Sequence, residues 1–593
     1  MNEPQPIPRR LFLGVVAAAS ASAALAASAP QDGATAGPLR AGPLGAGPLG
    51  VRPLADSPNA SPDGTTIPSA AAITDNAGRV WTVSGGVIAC NGSPVGDTFN
   101  VALLLWYGGM IYHVNTGGDW YVVNEGVWRH CTDPRIPLAA PAGMVYGVNV
   151  HRDTGLTPTA VVAAVGALGA SVVRVNTGNS AQTIAQAATV VQKLQSVGVT
   201  AFPVIDAGIR QNDTTLAYAS EADAYSGGHS IGSAVATALA PSGVTMYECG
   251  NELTRDPFII LPSHEADAGT KAVDFDNANW PIMRGFMRGL IDGVRSVQPS
   301  ALCGINFCKS DIGAADALWD GQQPDGSGGH PTVRWDITTW HNYEGDGDIF
   351  HIGTDGAGPS FDLPIYAKAR YGTPFMMTEW GSDKNQGVAH RAAYIPPQLD
   401  EFGPARTTVG FQSAMFFELD GGTDWGLTAS DGTPLQPAYS AFQDYVFAHP
   451  DAVPSRAPIG STISLKAANG LYASARTAAD GTAPLEAVAA TVDTWEKFAV
   501  VDAGNGLIAL VAQANGKYVS AWQSAANAPL TAVATTAAVW ESFRWVPTGT
   551  GTAGLVSLAN GAFVSAWQSE TDTPLEARSG RLQDWETFQW ATA

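Results

Sequence analysis

The sequence predicts a multidomain protein with a central (β/α)8 TIM barrel, a small N-terminal β-domain and a C-terminal β-trefoil. Three observations predict it. Apolar strand candidates alternate with helical stretches from residue 144 to about 445, short β-type runs broken by Gly, Asn and Asp precede them, and a segment recurring every 45 residues follows. A chain of 593 residues is also too long for one hydrophobic core.

In chain order, Pro8-Arg9-Arg10-Leu11-Phe12-Leu13, an Ala-rich apolar run and Ala27-Ser28-Ala29 read as a twin-arginine export signal over residues 1–29. The run is too short to span a bilayer, so the mature protein is expected in the periplasm or outside the cell, free of the membrane. Residues 30–70, with Gly-Pro-Leu repeated at 37, 42 and 47, read as a linker. Residues 71–133 hold hairpin signals, and Trp81, Trp106, Tyr112, Trp120 and Trp128 are expected mainly to fill that small unit's core.

The barrel is assigned to residues 140–449. Its eight strand candidates are 144–150, 171–175, 199–205, 244–250, 301–307, 336–343, 373–378 and 411–418, with helices such as 158–168, 181–197 and 281–297 between them. A doubly wound sheet is the alternative, but no Gly-rich phosphate loop follows the first strand. Residues 458–593 carry Trp495-Glu496-Lys497-Phe498, Trp540-Glu541-Ser542-Phe543 and Trp585-Glu586-Thr587-Phe588 at intervals of 45, with Pro-Leu and Asn-Gly pairs keeping or nearly keeping the step. Three copies of short β-runs imply a three-fold closed object, a trefoil.

The formal net charge of −22 argues against nucleic acid as a partner, because such a surface repels phosphates. Of the five cysteines, Cys90 and Cys131 are the candidate disulfide pair, and Cys249, Cys303 and Cys308 read as buried thiols. No spacing suggests a zinc site.

Two strand ends carry chemistry. Tyr247-Glu248-Cys249-Gly250-Asn251-Glu252 ends the fourth strand and Phe375-Met376-Met377-Thr378-Glu379-Trp380-Gly381 the seventh. Strand C-terminal ends are where a barrel presents catalytic groups, and two carboxyls ~5–5.5 Å apart are what cleavage of a glycosidic bond with retention needs. Asn-Glu alone is weak, since it also occurs at Asn2-Glu3 and Asn124-Glu125; the matching glutamate three strands later makes the signal.

These residues resemble clan A glycoside hydrolases, the superfamily of families 5 and 39, over about half of the chain. The resemblance implies that Glu252 is the general acid/base and Glu379 the nucleophile. It also implies that Asn251 binds a sugar hydroxyl, that Arg174 holds the nucleophile ionised, and that His341 and Tyr343 stand beside it. Trp380 and Trp425 are the further substrate-binding candidates, Trp425 because the eighth strand ends Phe416-Phe417-Glu418 where family 5 has tryptophan. Glu252, with no cation evident in the sequence and a negative partner nearby, is expected to have a raised pKa. Glu418 and Asp420 are the rival bases should the reaction invert. The terminal repeats resemble the fascin-like branch of the β-trefoils. Exposed Trp522 and Trp567 would hold polysaccharide there, while the first copy has Arg476 instead. The expectation is a monomeric, exported, endo-acting β-glycanase with a polysaccharide as its substrate and partner, and no metal or organic cofactor; an exo-acting glycosidase and a non-catalytic polysaccharide-binding protein are the alternatives.

Overall fold

The computed structural model describes residues 59–593 apart from 125, 139–145, 264–268, 353–359, 452–454, 478–480 and 482. The export signal and most of the linker lie outside the described residues. No helix among the described residues is long and apolar enough to cross a membrane.

Eight parallel strands close into a barrel: β1 (Tyr146–Val150), β2 (Val172–Asn176), β3 (Thr200–Ile205), β4 (Met246–Cys249), β5 (Leu302–Cys308), β6 (Ile337–Tyr343), β7 (Phe375–Gly381) and β8 (Phe411–Phe416). Each lies within a few residues of its predicted position. β8 closes on β1 through Tyr146 opposite Ala414.

The strands follow the period-2 rule, which sends alternate side chains into the barrel. At its N-terminal end Val172, Phe202, Met246, Ile337, Met376 and Met415 form a dry layer. Two residues further along several strands the chemistry changes: Arg174 follows Val172, Glu248 follows Met246 and Thr378 follows Met376. Asn149 and Asn306 stand two residues past Gly147 and Gly304, where an added Cβ would meet Val172 and Thr339 side chains at 2.7 and 2.8 Å. An apolar floor thus supports a polar upper layer.

Helix α1 (Pro158–Leu168) starts as predicted: Thr157 caps it by accepting from the Ala160 amide, and Gly169, at φ 76°, ends it. Helices α2 (Ala181–Ser196), α3 (Glu221–Leu239) and α4 (Trp280–Val297) follow. The last two approach closely through glycines four residues apart: Gly228 and Gly232 on α3, and Gly285, Gly289 and Gly293 on α4.

The N-terminal residues build two sheets. One has five strands, Thr66–Ile67, Val101–Tyr107, Met110–Asn115, Trp120–Asn124 and Val127–Cys131, and the other has four, Ile73–Thr74, Val80–Ser84, Val87–Cys90 and Ser93–Pro94. The first strand lies inside the stretch read as linker, pairing with Leu104 and Leu105. Trp81 and Trp106 fill the small unit's core, as expected, whereas Tyr112 is buried against the barrel. The predicted Cys90–Cys131 disulfide is absent and all five cysteines are free thiols. The physical reason is that the two thiols belong to different cores: Cys90 packs against the small N-terminal cluster and Cys131 is buried in the barrel's. Leu104 and Trp106 face the small core while Leu105, Tyr112, Val122 and Cys131 join the barrel's apolar cluster. A buried ionic knot ties the two parts. Asp316 accepts from Tyr366 and Tyr371 at 2.6 and 3.0 Å and pairs with Arg129 and Arg370 at 3.1 and 3.2 Å.

At the C-terminus six strands, Thr462–Lys466, Phe498–Gly504, Leu507–Ala512, Phe543–Gly549, Thr552–Ser557 and Phe588–Thr592, pair in a ring. Three hairpins flank the ring: Tyr472–Ala475 with Leu485–Ala489, Lys517–Ala521 with Leu530–Ala534, and Phe563–Ala566 with Leu575–Ser579. The repeated motif is structural. Its glutamates, Glu496, Glu541 and Glu586, are buried and accept the backbone amides of Asp493, Ala538 and Gln583 at 2.8, 2.9 and 2.9 Å. Its phenylalanines fill the core. Asn469, Asn515 and Asn560 likewise repeat one bond, donating to the carbonyls of Ala487, Ala532 and Ala577.

Candidate active site

Glu379 reaches the barrel interior through a local irregularity. Pairing slips between β6 and β7, so that Trp340 opposes Met377 while His341 opposes Glu379, with Thr378 as the extra residue. Such a bulge breaks the alternation. Thr378 and Glu379 therefore both point inward: the Thr378 hydroxyl donates to Glu248 Oε1 at 2.8 Å, and Glu379 meets Arg174. Trp380 is thrown outward. Its ring is buried against Phe402 and Phe416 at 5.4 and 5.0 Å. That corrects the expectation of a sugar contact from Trp380, because the bulge shifts the faces of the residues after it.

Both Glu379 oxygens are engaged. Oε1 accepts from Arg174 Nη1 at 2.5 Å and Oε2 from the Tyr343 hydroxyl at 2.5 Å. Arg174 is held in turn by Glu248, whose Oε2 accepts its Nε at 2.5 Å, by Asn149 Oδ1 at 3.1 Å and by Asn251 Oδ1 at 2.6 Å. Burial lowers the guanidinium's pKa; Glu248 and Glu379 outweigh burial and raise it. Burial and the Glu379 charge together raise the Tyr343 phenol, which stays a donor. Glu248 belongs to the fourth-strand motif but carries no role predicted from the sequence. The signal for one is present: two residues after Met246 and four before Glu252, it has to face inward.

Glu252 stands beyond β4 in a left-handed conformation, φ 48°. Its amide donates to Asn306 Oδ1 at 2.7 Å, which fixes the turn. Its Oε1 lies 2.9 Å from His341 Nδ1, and the same nitrogen is 3.5 Å from Glu379 Oε2. His341 Nε2 is buried with no partner among the described residues, so the proton belongs on Nδ1, where it has an acceptor. Burial alone would raise the Glu252 carboxyl. The hydrogen bond from His341, with the charges of Arg174 and Lys309, outweighs it and holds the carboxyl below its ordinary value. This reverses the predicted raised pKa, for cations invisible in the linear sequence converge on the residue in the fold.

Asn251 gives its oxygen to Arg174 and keeps its amide N–H groups for a ligand. Trp425, on the short helix Gly422–Trp425, leans on Tyr343 and Phe417 at 5.4 and 5.8 Å, which places it beside Tyr343 at the mouth of the barrel. The rivals are committed elsewhere: Glu418 pairs with His151 at 2.8 Å and Asp420 accepts from the Thr154 hydroxyl.

Glu252, His341 and Glu379 each bring one ligand atom within 4.8 Å of the others, the composition of a cation site. A cation there would face the Arg174 guanidinium and compete with two donors on Glu379. The trio suits proton and carboxylate chemistry better.

In the C-terminal barrel the two exposed-tryptophan candidates differ. Trp522 is 40% exposed, with Trp540 at its edge. Trp567 is half-buried and its ring carries the Arg578 guanidinium at 3.7 Å. One face of Trp567 is therefore closed.

No family model and no curated protein matches this sequence. Among solved structures, the β-glycosidase BGL167 is 12% identical and the match covers 55% of this chain and 100% of that one, with a TM-score of 0.36. The GH53 catalytic domain of Ignisphaera aggregans is 13% identical, covering 52% and 99%, with a TM-score of 0.34. The designed three-fold symmetric protein ThreeFoil is 18% identical over 22% of this chain and 99% of its own, with a TM-score of 0.21. What this chain does has to be read from its own side chains.

Proposed function

We propose that this protein is an exported, monomeric glycoside hydrolase that retains anomeric configuration and cuts a polysaccharide at internal β-linkages. One observation carries the reading: at the C-terminal mouth of a closed parallel barrel, oxygens of Glu252 and Glu379 lie within 4.8 Å of each other. An inverting enzyme needs ~6.5–9.5 Å between the carboxyls to seat a water.

Glu379, its charge stabilised by Arg174 and Tyr343, attacks the anomeric carbon. The bond to the leaving oxygen breaks as that oxygen takes the proton of Glu252. Water then attacks the glycosyl-enzyme, gives its proton to the Glu252 carboxylate and releases Glu379. His341 Nδ1–H, donating to Glu252, steadies the carboxylate each time it forms. The Asn251 amide is free to hold a sugar hydroxyl, and Trp425 offers an apolar wall to the ring. Carboxyl groups and water suffice, so the scheme assigns no step to a metal or cofactor. The C-terminal ring with its three hairpins is assigned as a β-trefoil that grips the polysaccharide through Trp522, which favours action within a long chain.

Replacing Glu252 or Glu379 with Gln should lower turnover on a β-glycan by about 10²–10⁴-fold without unfolding the protein. Near-normal rates in either variant would end the assignment. Proton NMR of the first product should show the anomer of the substrate, and solution viscosity should fall well ahead of the release of reducing ends.

A further inference from the structure

Glu252 holds a backbone conformation that its own residue type resists. Its φ of 48° and ψ of 34° lie in the left-handed region, where a side chain with a Cβ is strained and persists only if its surroundings fix it. On its N-terminal side the fixing group is Asn306, which accepts the Glu252 amide at 2.7 Å.

The C-terminal side is held as firmly. Leu253–Arg255 forms a single 3-10 turn, in which the Arg255 amide donates to the Glu252 carbonyl at 2.9 Å. Two consecutive side chains of that turn meet one carboxylate. The Thr254 hydroxyl donates to Asp311 Oδ2 at 2.6 Å, and Arg255 Nη2 pairs with Oδ1 at 2.5 Å. Thr254 and Asp311 are both fully buried, and the backbone of Gly269 covers Asp311 and Arg255 without room for a Cβ. Shielded from water, such contacts are stiff.

Asp311 is a fixed anchor for them. It stands between β5 and helix α5 (Ile312–Asp320), its amide donating to the Cys308 carbonyl at 3.2 Å and its carbonyl accepting from the Ala315 amide at 3.0 Å. Lys309, itself left-handed at φ 52°, ties the same loop to β6. Its amide donates to the His341 carbonyl at 3.1 Å, and its carbonyl accepts from the Trp340 indole at 2.8 Å. β6 therefore reaches Glu252 twice, directly through His341 Nδ1 and indirectly through Lys309, Asp311 and the turn.

Building on the glycosidase reading, we propose that Asp311 is a positioning residue for the acid/base step. It clamps Thr254 and Arg255 so that Glu252 stands where it can hand its proton to the leaving oxygen. A misplacement of ~1 Å is enough to cost about 10²-fold in rate. Glu379, on β7 and held by Arg174 and Tyr343, is outside the clamp. Loosening the clamp therefore slows bond cleavage in proportion to the help that the leaving group needs.

Two variants of the full-length protein test this. Thr254→Val is isosteric and removes only the hydroxyl, while Asp311→Asn keeps the shape and withdraws the charge that pairs with Arg255. The probes are phenyl and 2,4-dinitrophenyl β-glycosides of the oligosaccharide that the wild type releases from its glycan; the phenolate needs a proton to leave and the dinitrophenolate does not. In both variants kcat/KM on the phenyl glycoside should fall by about 10–100-fold, and on the dinitrophenyl glycoside by less than about threefold. Thr254→Ser, which keeps the hydroxyl, should bring the phenyl rate back to within about threefold of wild type. If Asp311→Asn does not fold, Thr254→Val decides alone. An equal loss on both glycosides, or no loss on either, would overturn the clamp and leave the glycosidase reading standing. A wild type that releases no sugar from any β-glycan would instead end that reading, and the clamp's role with it.

Discussion

His341 is the residue on which the pH behaviour of this site turns. It lowers the Glu252 carboxyl against the pull of burial, so its removal lets that carboxyl titrate at higher pH. A general acid is active while protonated, and kcat/KM falls as pH rises through its pKa in the free enzyme. In His341→Ala the alkaline limb of kcat/KM should therefore move upward in pH. A limb that stays put or moves down would mean that His341 does not set the charge on Glu252. At this scale the sequence is informative where side-chain alternation runs undisturbed: Arg174, His341 and Tyr343 all face the interior as period 2 requires. It misleads at Trp380, because a bulge of one residue between Met377 and Trp380 exchanges the two faces and leaves no mark in composition. Glu248 is harder to read, because a strand-end motif points to its last residue, whereas the charge that orients Arg174 sits one layer below.

Among the elements, the pair α3 and α4 shows how glycine can hide a helix and yet hold it in place. Residues 221–239 include Ser226-Gly227-Gly228 and Gly232, which depress helix propensity and blur the helix in the linear sequence. Packing reverses that bias. A Cβ on Gly289 would stand 2.2 Å from the Tyr225 carbonyl oxygen and 2.8 Å from the His229 nitrogen, both backbone atoms that cannot step aside. Gly289→Ala should cost about 1–3 kcal/mol by forcing the helices apart. Gly328→Ala, with nothing within 4 Å of the new methyl, should be near neutral in the same denaturant titration. Equal stability of the two variants would contradict the close approach. The clearer helices are legible because their ends are marked: Thr157-Pro158 opens α1 and Gly169 closes it.

For the molecule as a whole, the N-terminal sheets and the barrel are joined by charge as well as by apolar surface, and the charge makes the junction sensitive to acid. Burial alone would raise the Asp316 carboxyl, but Arg129 and Arg370 overcome it and the net shift is downward. A carboxyl whose folded pKa is depressed adds stability that is present above its unfolded pKa, ~3.9, and is lost as pH falls through the folded value. Asp316→Asn should cost about 1–3 kcal/mol at neutral pH, because it leaves two buried guanidinium groups to share the carboxylate of Asp320. The difference from wild type should shrink as both proteins are taken below pH 4, as read from unfolding midpoints. Periodicity in the sequence marks the three regions and the three-fold repeat. It does not show that one face of the N-terminal sheets belongs to the barrel's core, since Leu104 and Leu105 read alike and only their directions differ. The repeat itself holds a last consequence. Closing a ring needs three copies of the buried glutamate, phenylalanine and asparagine, but it needs nothing from the residues that face outward. Those positions have been free to part ways: Arg476 replaces an aromatic in the first copy, Trp522 stays open in the second, and the third covers Trp567 with Arg578 while Arg581 reaches Asp431 of the barrel at 3.2 Å. Symmetry of the scaffold has thus become a licence for difference, with one copy's tryptophan closed by a guanidinium and another's left facing the solvent.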